Sequence, residues 1–567
     1  MNLVANEIFP AAVSLIRQGK LQTADLERSQ VIAAERNAAL NPLMVRLGLV
    51  SEKDLAATVM ELHNLPNLED SDIPEQAVEI SGLSAKFLLD AGIVPLRAEG
   101  EYLIVGTADP EDDYSLKALE LATEKKLTLK VGAISQIERA LDRLYSDGRS
   151  SLDHLVDGLP AESAGLQATE STDRLRDMAC EAPIVRIVNL LFSRAVESRA
   201  SDIHIEPFEN RLDVRYRIDG VLQDAESPPA HATAAILSRI KLMAKLNIAE
   251  RRLPQDGRIQ IQSHGKTIDL RVSTVPTLHG ESLVLRLLDK EQVTLDFSTL
   301  GFTPEMQITL GRLLDLPHGI ILSTGPTGSG KTTTLYTALQ RLNTRERKIL
   351  TVEDPVEYQL PGINQMQVKP QINLTFANAL RSIVRQDPDV IMIGEMRDLE
   401  TAAIAVQSAL TGHLVLSTLH TNDAGSSVTR LLDMGVEDYL LTSTLNGILA
   451  QRLVRVLCPH CRQAYPPLPD LVEELGLQRL SGGDAITLYR TGGCAHCSAT
   501  GYRGRQVIAE LLVLSDPVRR AILAKADGTE IQRIALAQGM ETMKTDGLRK
   551  ALAGTTTIEE VTRVTQD

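Results

Sequence analysis

Gly325-Pro-Thr-Gly-Ser-Gly-Lys-Thr332 reads G-x-x-x-x-G-K-[ST], and its flanks decide what it is. Before it, His318–Thr324 is an apolar run of strand length. After it, Thr333 opens a stretch in which Leu335, Leu339 and Leu342 recur at helical spacing. A glycine-rich turn between a buried strand and a helix is the setting of a phosphate-binding loop. Its glycines let the backbone fold tightly, so that successive N–H groups point inward at phosphate oxygens. Lys331 then reaches the β- and γ-phosphates, and the Thr332 hydroxyl ligates Mg²⁺. The plain alternative, a turn without a ligand, does not account for those flanks. Gly325, Pro326, Thr327, Gly328, Ser329, Gly330, Lys331, Thr332 and Thr333 form the expected binding set for ATP.

Outward from the loop, acidic residues fall where strands should end. Lys348–Val352 reads as a strand closed by Glu353-Asp354-Pro355, with Glu357 beyond. A carboxylate at that end of a parallel strand faces the ligand crevice. Glu353 is the candidate to orient or deprotonate the attacking water, and Asp354 or Glu357 to hold Mg²⁺ through water. The next strand, Asp389–Ile393, ends in Gly394-Glu395, where P-loop enzymes usually place a metal-gripping aspartate. Glu395 is expected to take over that work. Arg381 and Arg385, four apart on one helical face, are within expected reach of this cluster or of phosphate. A third strand, Leu414–Thr418, lies between His413 and His420, and His420 at its tip is expected to hydrogen-bond the γ-phosphate. The catalytic set is therefore Lys331, Glu353, Glu395 and His420.

Four of the five cysteines stand in Cys458-Pro-His-Cys461 and Cys494-Ala-His-Cys497. Paired C-x-x-C knuckles supply four thiolates to a tetrahedral Zn²⁺, and a filled ligand set makes the metal structural. A small helical lobe is expected between them, giving a zinc-binding region over 456–499. His460 and His496 are lesser ligand candidates. Cys180 stands alone and reads as a small core residue.

With 567 residues the chain requires several domains. Residues 1–145 read as mainly helical with a short α/β part. Arg17-Gln-Gly-Lys-Leu21…Asp25-Leu26 aligns with Arg46-Leu-Gly-Leu-Val50…Asp54-Leu55, each copy a glycine-closed turn before an amphipathic helix. Two packed helical hairpins explain this repeat, and so does a pair of half-sites offering arginine and N–H groups to a cyclic dinucleotide. It resembles the tandem R-L-G repeats of the cyclic-di-GMP-binding domain on some secretion and pilus ATPases, with Gln18 replacing a leucine. Residues 146–172 read as a flexible linker. Residues 173–290 give a helix and alternating strands. In Arg211–Ile218, Leu212, Val214, Tyr216 and Ile218 share one face, and Arg211, Asp213, Arg215 and Arg217 the other. Residues 291–567 alternate strands and helices, the pattern of a mostly parallel sheet covered on both faces.

Composition excludes some readings. Fifty-nine Lys plus Arg against 74 Asp plus Glu leave a net charge of −15, and there is no Trp. An acidic chain poor in stacking aromatics is a weak nucleic-acid motor. No secretory leader or membrane-length apolar run is evident. The cysteine usage fits a reducing compartment, so the protein is expected in the cytoplasm.

Together these residues resemble the secretion traffic ATPases, specifically the type II secretion ATPase. The resemblance runs from about Ala182 onward. It rests on Ala200–Pro207, Arg251–Gly257, the phosphate loop, the aspartate box Thr351–Glu357, Ile393–Asp398, the histidine box Thr411–Asp423, Ala450–Arg455, the cysteine pairs and Gly501–Arg505. It implies a RecA-like P-loop NTPase domain with a zinc lobe, an α+β, PAS-like, arginine-bearing sheet domain before it, and a helical N-terminal domain. It also implies a homo-hexamer on the cytoplasmic face of the inner membrane. That hexamer would dock through its N-terminal domain to a bitopic membrane protein and contact a polytopic platform protein. Arg217, with Arg215 second, and Arg452 would touch nucleotide, and Leu288–Leu300 would be the hinge between moving lobes. Val507 departs from the glycine common in relatives. Two rivals are a type IV pilus assembly ATPase and a cyclic-di-GMP-sensing module with little turnover. The intact Lys331, Thr332, Glu353 and Glu395 argue against the second.

Overall fold

The computed structural model describes residues 10–36, 40–46, 49–74, 76–78, 83–84, 87–88, 91–145, 178–180, 182–263, 266–288 and 295–566. Residues 1–218 with 222–289 form one compact unit, and 290–567 with 219–221 form the other. The expected linker 146–172 lies outside the described residues, as do 289–294 of the expected hinge.

In the first unit, four helices, Pro10–Arg17, Thr23–Arg36, Leu40–Arg46 and Glu52–His63, pack Leu15, Leu26, Met44, Leu55 and Val59 together. The first turn of the repeat is closed by Gly19 at φ +71°, a left-handed geometry that suits glycine. The second copy's Leu47 and Gly48, and the side chain of Arg46, lie outside the described residues. A three-stranded sheet follows: β1 (Ile93–Glu99), β2 (Tyr102–Thr107) and β3 (Lys126–Val131), in the order β1-β2-β3. Helices Asp113–Thr123 and Ile134–Tyr145 bury Leu119, Ile137 and Leu141 with Val94, Leu103 and Val105 of this sheet.

Six strands build the sheet of residues 200–288: β4 (Ala200–Pro207), β5 (Leu212–Ile218), β6 (Val221–Asp224), β7 (Gln255–Ser263), β8 (Lys266–Thr277) and β9 (Gly280–Leu288). Their order is β6-β5-β4-β9-β8-β7. Alternation drives the packing. Leu212, Val214 and Tyr216 of β5 join Ile203 and Ile205 of β4 in a core shared with helices Ala182–Glu197 and Thr233–Met243. Tyr216 satisfies its buried hydroxyl by donating to the Leu191 carbonyl at 2.9 Å. The opposite face carries the expected arginines together with acidic partners from β4 that sequence reading did not supply. Arg215 pairs with Glu206, Arg286 with Asp202 at 3.0 Å, and Arg217 lies 3.9 Å from Asp202. Cys180, expected in a core, is exposed.

Lys241 is the charge this unit has to accommodate. At 1% exposure its ammonium donates to both oxygens of Glu281, at 2.7 and 2.9 Å, and to the Glu250 carbonyl at 2.7 Å. A buried pair tolerates the loss of one partner poorly, because the remaining ion is left without its countercharge. Glu281→Gln should cost about 3 kcal/mol, read as an earlier urea midpoint.

The second unit holds β10 (Gly319–Thr324), β11 (Ile349–Glu353), β12 (Asn364–Gln367), β13 (Val390–Ile393), β14 (Leu414–Leu419), β15 (Leu445–Leu457), β16 (Gln463–Tyr465), β17 (Leu488–Arg490) and β18 (Tyr502–Val513). Seven of them form one sheet in the order β12-β11-β13-β14-β10-β15-β18. Every pairing is parallel except β15 with β18, so an antiparallel strand closes one edge. Both faces are covered, as the sequence pattern predicts. Ile321, Met392, Leu416 and Leu449 pack with Leu335 and Leu339 of helix Lys331–Leu342, while Ile320, Leu322, Ile391 and Val415 face the other core.

Candidate functional site

β10 ends at Thr324 and the helix starts at Lys331, so the octet spans the turn between them. Gly330 caps that helix at φ +88°, and Gly325 sits at φ +146°, where a Cβ would come 2.4 Å from the Gln451 carbonyl oxygen. Only glycine fits the second place, by backbone angle and by space. Lys331 curls back over the loop and donates to the carbonyls of Gly325 at 2.6 Å and Pro326 at 3.0 Å. Burial pushes its pKa down to about 8, with Glu395 pulling the other way. Thr332, exposed beside it, leaves its hydroxyl open to a metal ion.

The carboxylates divide in role. Glu395 lies just past the end of β13, 2.6 Å from Arg397 and 3.6 Å from Nε2 of His420. His420 is 48% exposed at its side chain, and its pKa is lowered by burial and then by the Lys331 charge. Lys331, Glu395 and His420 are thus brought into one electrostatic neighbourhood, as expected. Glu353, the last residue of β11, is 3% exposed and fully engaged. It accepts from the Tyr336 hydroxyl, from Thr351 Oγ1 at 2.5 Å and from Gln365 Nε2 at 3.2 Å. Burial and the Glu353 carboxylate drive the Tyr336 phenol far above its usual range, so it stays a donor. Tyr336 and Gln365 were missed in the sequence. Tyr336, in the second turn of the helix that begins at Lys331, was hidden among that helix's apolar positions.

Other expectations are redistributed. Helix Phe376–Ile383 ends before Arg385, which lies in a tighter turn over Val384–Gln386, so the two arginines do not share one helix. Arg381 pairs with Glu400, and Arg385 donates to the Arg381 carbonyl at 2.6 Å. Asp354 is exposed. Arg452 donates to the Val564 carbonyl. The loop after His420 is tied to the phosphate loop's strand: Thr421 N donates to Thr324 Oγ1 at 3.0 Å, and the two hydroxyls lie 2.7 Å apart. Glu510 accepts the Ala424 N–H at 2.9 Å and the Met543 N–H at 3.2 Å, fixing the start of the helix behind that loop.

The four cysteine sulfurs lie within 4.8 Å of one another. Cys458–Cys494 and Cys461–Cys497 are separated by 3.8 Å, Cys494–Cys497 by 3.7 Å. A tetrahedron with zinc–sulfur bonds of about 2.3 Å has an edge of about 3.8 Å, so the thiols fit the ion. Backbone N–H groups of Cys494 and Gly501 donate to Cys497 Sγ, the second layer a thiolate requires. The His460 and His496 rings lie against each other, tilted by 55° with centroids 4.1 Å apart, outside this set of thiols.

Residues 177–563 match the family described as "Type II/IV secretion system protein", and residues 63–151 match the MshEN domain. The second match begins beyond the Arg17–Leu55 repeat. The chain is 56% identical over 558 residues to "Type II secretion system protein E" of Xanthomonas campestris pv. campestris, covering 98% of both. It is 42% identical to "Type IV pilus assembly ATPase PilB" of Myxococcus xanthus, over 96% of this chain and 97% of the other. Among solved structures, the DotB ATPase of Legionella pneumophila superposes with a TM-score of 0.50 at 22% identity, over 67% of this chain and 95% of DotB, a likeness of fold. No helix among the described residues is long and apolar enough to cross a membrane.

Proposed function

The chain belongs to the type II/IV secretion system protein family, and from that premise we propose that it hydrolyses ATP to drive pseudopilus assembly and protein export through a type II secretion system. The observation that carries the type II reading is the near-full-length likeness to the Xanthomonas protein, stronger than that to the Myxococcus pilus ATPase. A deletion strain tests it. Loss of exoprotein export with twitching intact supports it; loss of twitching with export intact transfers the chain to pilus assembly.

In this reading the cradle of main-chain amides and Lys331 bind the triphosphate, and His420 reports the γ-phosphate. Thr332 and Glu395 would hold Mg²⁺, which when bound neutralises charge on the β- and γ-phosphates. Glu353 orients the attacking water, and the three donors around it fix where its carboxylate points. Glu353→Gln should lower kcat on the order of a hundredfold with KM for ATP nearly unchanged; undiminished steady-state hydrolysis would remove Glu353 from the reaction. Arg217 would act only after leaving Asp202, on the nucleotide of a neighbouring subunit, and Arg452 only after leaving the Val564 carbonyl.

The assembly proposed is a homo-hexamer, peripheral on the cytoplasmic face of the inner membrane. The PAS-like sheet domain closes on the ATPase domain when ATP binds, and the N-terminal domain holds a bitopic membrane partner while the ring works on a polytopic platform. Cyclic-di-GMP is the regulatory ligand proposed for the N-terminal domain; the MshEN match over residues 63–151 and, separately, the repeat over Arg17–Leu55 that precedes it support this reading. Calorimetric titration decides it, and the absence of heat at high micromolar ligand would end it.

A further inference from the structure

We propose that Gln451 is the positioning residue of the phosphate cradle: its side-chain amide fixes the Ser329–Gly330 peptide so that the Gly330 N–H is presented to the triphosphate. The inference rests on the ATPase reading and goes beyond it, to a residue outside the loop.

β15 has two distinct faces. Leu449 and Leu453 join the core that contains Leu335 and Leu339 of the helix after the phosphate loop, whereas Ala450 and Val454 join the core that contains Val561. Strand alternation therefore sends Gln451 toward the loop and Arg452 toward the C-terminal helix Ile558–Thr565, where it meets the Val564 carbonyl. Gln451 is 0% exposed, so both halves of its amide require partners. Nε2 donates to the Ser329 carbonyl at 2.8 Å, and Oε1 accepts from Ser323 Oγ at 3.3 Å. Its own backbone carbonyl lies against Gly325, and a Cβ on Gly330 would meet its Nε2 at 3.2 Å. One residue thus touches the loop at its entry and at its exit.

The consequence follows from the planar trans peptide. The Ser329 C=O and the Gly330 N–H belong to one unit and point in opposite directions. Pinning the carbonyl toward β15 turns the N–H away from it. Without that hydrogen bond the unit would be free to rotate, because Gly330 tolerates conformations closed to other residues. A rotated peptide presents an oxygen where phosphate needs a donor. The loss should therefore appear in nucleotide affinity, with a smaller effect on turnover once ATP is bound.

The test uses the full-length chain carrying Gln451→Met, which keeps the length and removes both hydrogen bonds, or Gln451→Glu, which keeps the Ser323 acceptor and loses the donor. KM and kcat for ATP, the Kd of a fluorescent ADP analogue and the nucleotide-free melting temperature are measured together. Both variants should raise KM and Kd about tenfold or more, the scale of an unsatisfied buried carbonyl, with kcat within about threefold. Ser323→Ala, which leaves the Ser329 contact intact, should change KM by less than about threefold, and the Glu variant carries the test if the Met variant fails to fold. Unchanged KM and Kd in a folded Gln451 variant, a fall in kcat alone, or a Ser323→Ala effect as large as that of Gln451→Met would each overturn the proposal. A wild-type chain that neither binds nor turns over Mg·ATP would instead sink the ATPase reading beneath it.

Discussion

Replacing Lys331 with alanine should lower ATP turnover on the order of a thousandfold while leaving the fold standing. Lys331 is 8% exposed, and its ammonium's hydrogen bonds go to two carbonyls of its own loop. Burial without a full countercharge is what brings its pKa to about 8. In the proposed reading such a charge awaits an anion, and phosphate oxygens would supply it. The group therefore contributes little to the nucleotide-free fold and a great deal to the bound state. The sign of its pH linkage is the reverse of that of an ordinary paired lysine. Its folded value of about 8 lies below the unfolded 10.5, so the unfolded chain binds more protons between those values. Stability from this group rises as pH climbs through that window, and the alanine variant lacks the rise. Thermal melts without nucleotide should place the variant level with or above wild type at pH 7.5, with wild type gaining on it by pH 9.5. Retained turnover would remove Lys331 from phosphate binding, and a gap that widens in the variant's favour with pH would show that its folded pKa is not depressed.

The same loop shows what sequence can and cannot convey. Gly325–Thr332 was legible because each position answers a local demand: left-handed backbone at Gly330, a donor at Lys331, a strand before and a helix after. The cysteine pairs were legible for a similar reason, since two thiols with two residues between them already define half a tetrahedral site. The arginine face of β5 followed from a period of two. What stayed hidden depends on residues distant in the chain. Tyr336 reaches Glu353, Gln365 crosses from β12 to the same carboxylate, and Asp202 and Glu206 answer the arginines from the neighbouring strand. Strand pairing decides such contacts, and the pairing order β4-β9 or β13-β14-β10 cannot be read from any one segment. Arg385 was misplaced because its spacing suits a helix, whereas the chain tightens at Val384, before Asp387 takes a left-handed conformation at φ +53°. Gln451 and Arg452 are neighbours in the Ala450–Arg455 stretch, but only the sheet determines which of them faces the nucleotide cradle.

Removing the zinc thiolates should have the largest structural effect, and it should be confined to one lobe. Between the two knuckles stand only the three-residue strands β16 and β17 and the short helices Pro469–Glu474 and Leu477–Leu480. A two-stranded ribbon of that length does not hold itself together in water. Leu477 and Leu488, its fully buried residues, do not form a core of their own but join the large core that includes Leu548 and Ala551 of helix Met543–Leu552, so the rest of the lobe has little burial to offset its ordering. Hydrogen bonds add to that packing: Cys458 N donates to the Gly501 carbonyl at 2.9 Å, and Arg462 to the Gly554 carbonyl, just past helix Met543–Leu552, at 2.6 Å. Zinc binding by four thiolates carries on the order of 10 kcal/mol, and if these thiols hold the ion, much of that free energy would go to ordering the lobe. Cys458→Ser with Cys461→Ser should abolish stoichiometric zinc measured by elemental analysis and open the 466–486 segment to limited proteolysis. The phosphate loop, β10 and the helix from Lys331 pack on Leu449 and Leu416, so ADP affinity should change by less than about threefold. The lobe joins the ends of β15 and β18, where Leu457 pairs with Tyr502. Fraying there would reach Arg455 and Glu560, whose 2.8 Å ion pair anchors the last helix, before it reached the nucleotide. A chain purified without zinc that resists protease as well as the wild type would show that the thiols are not a metal site.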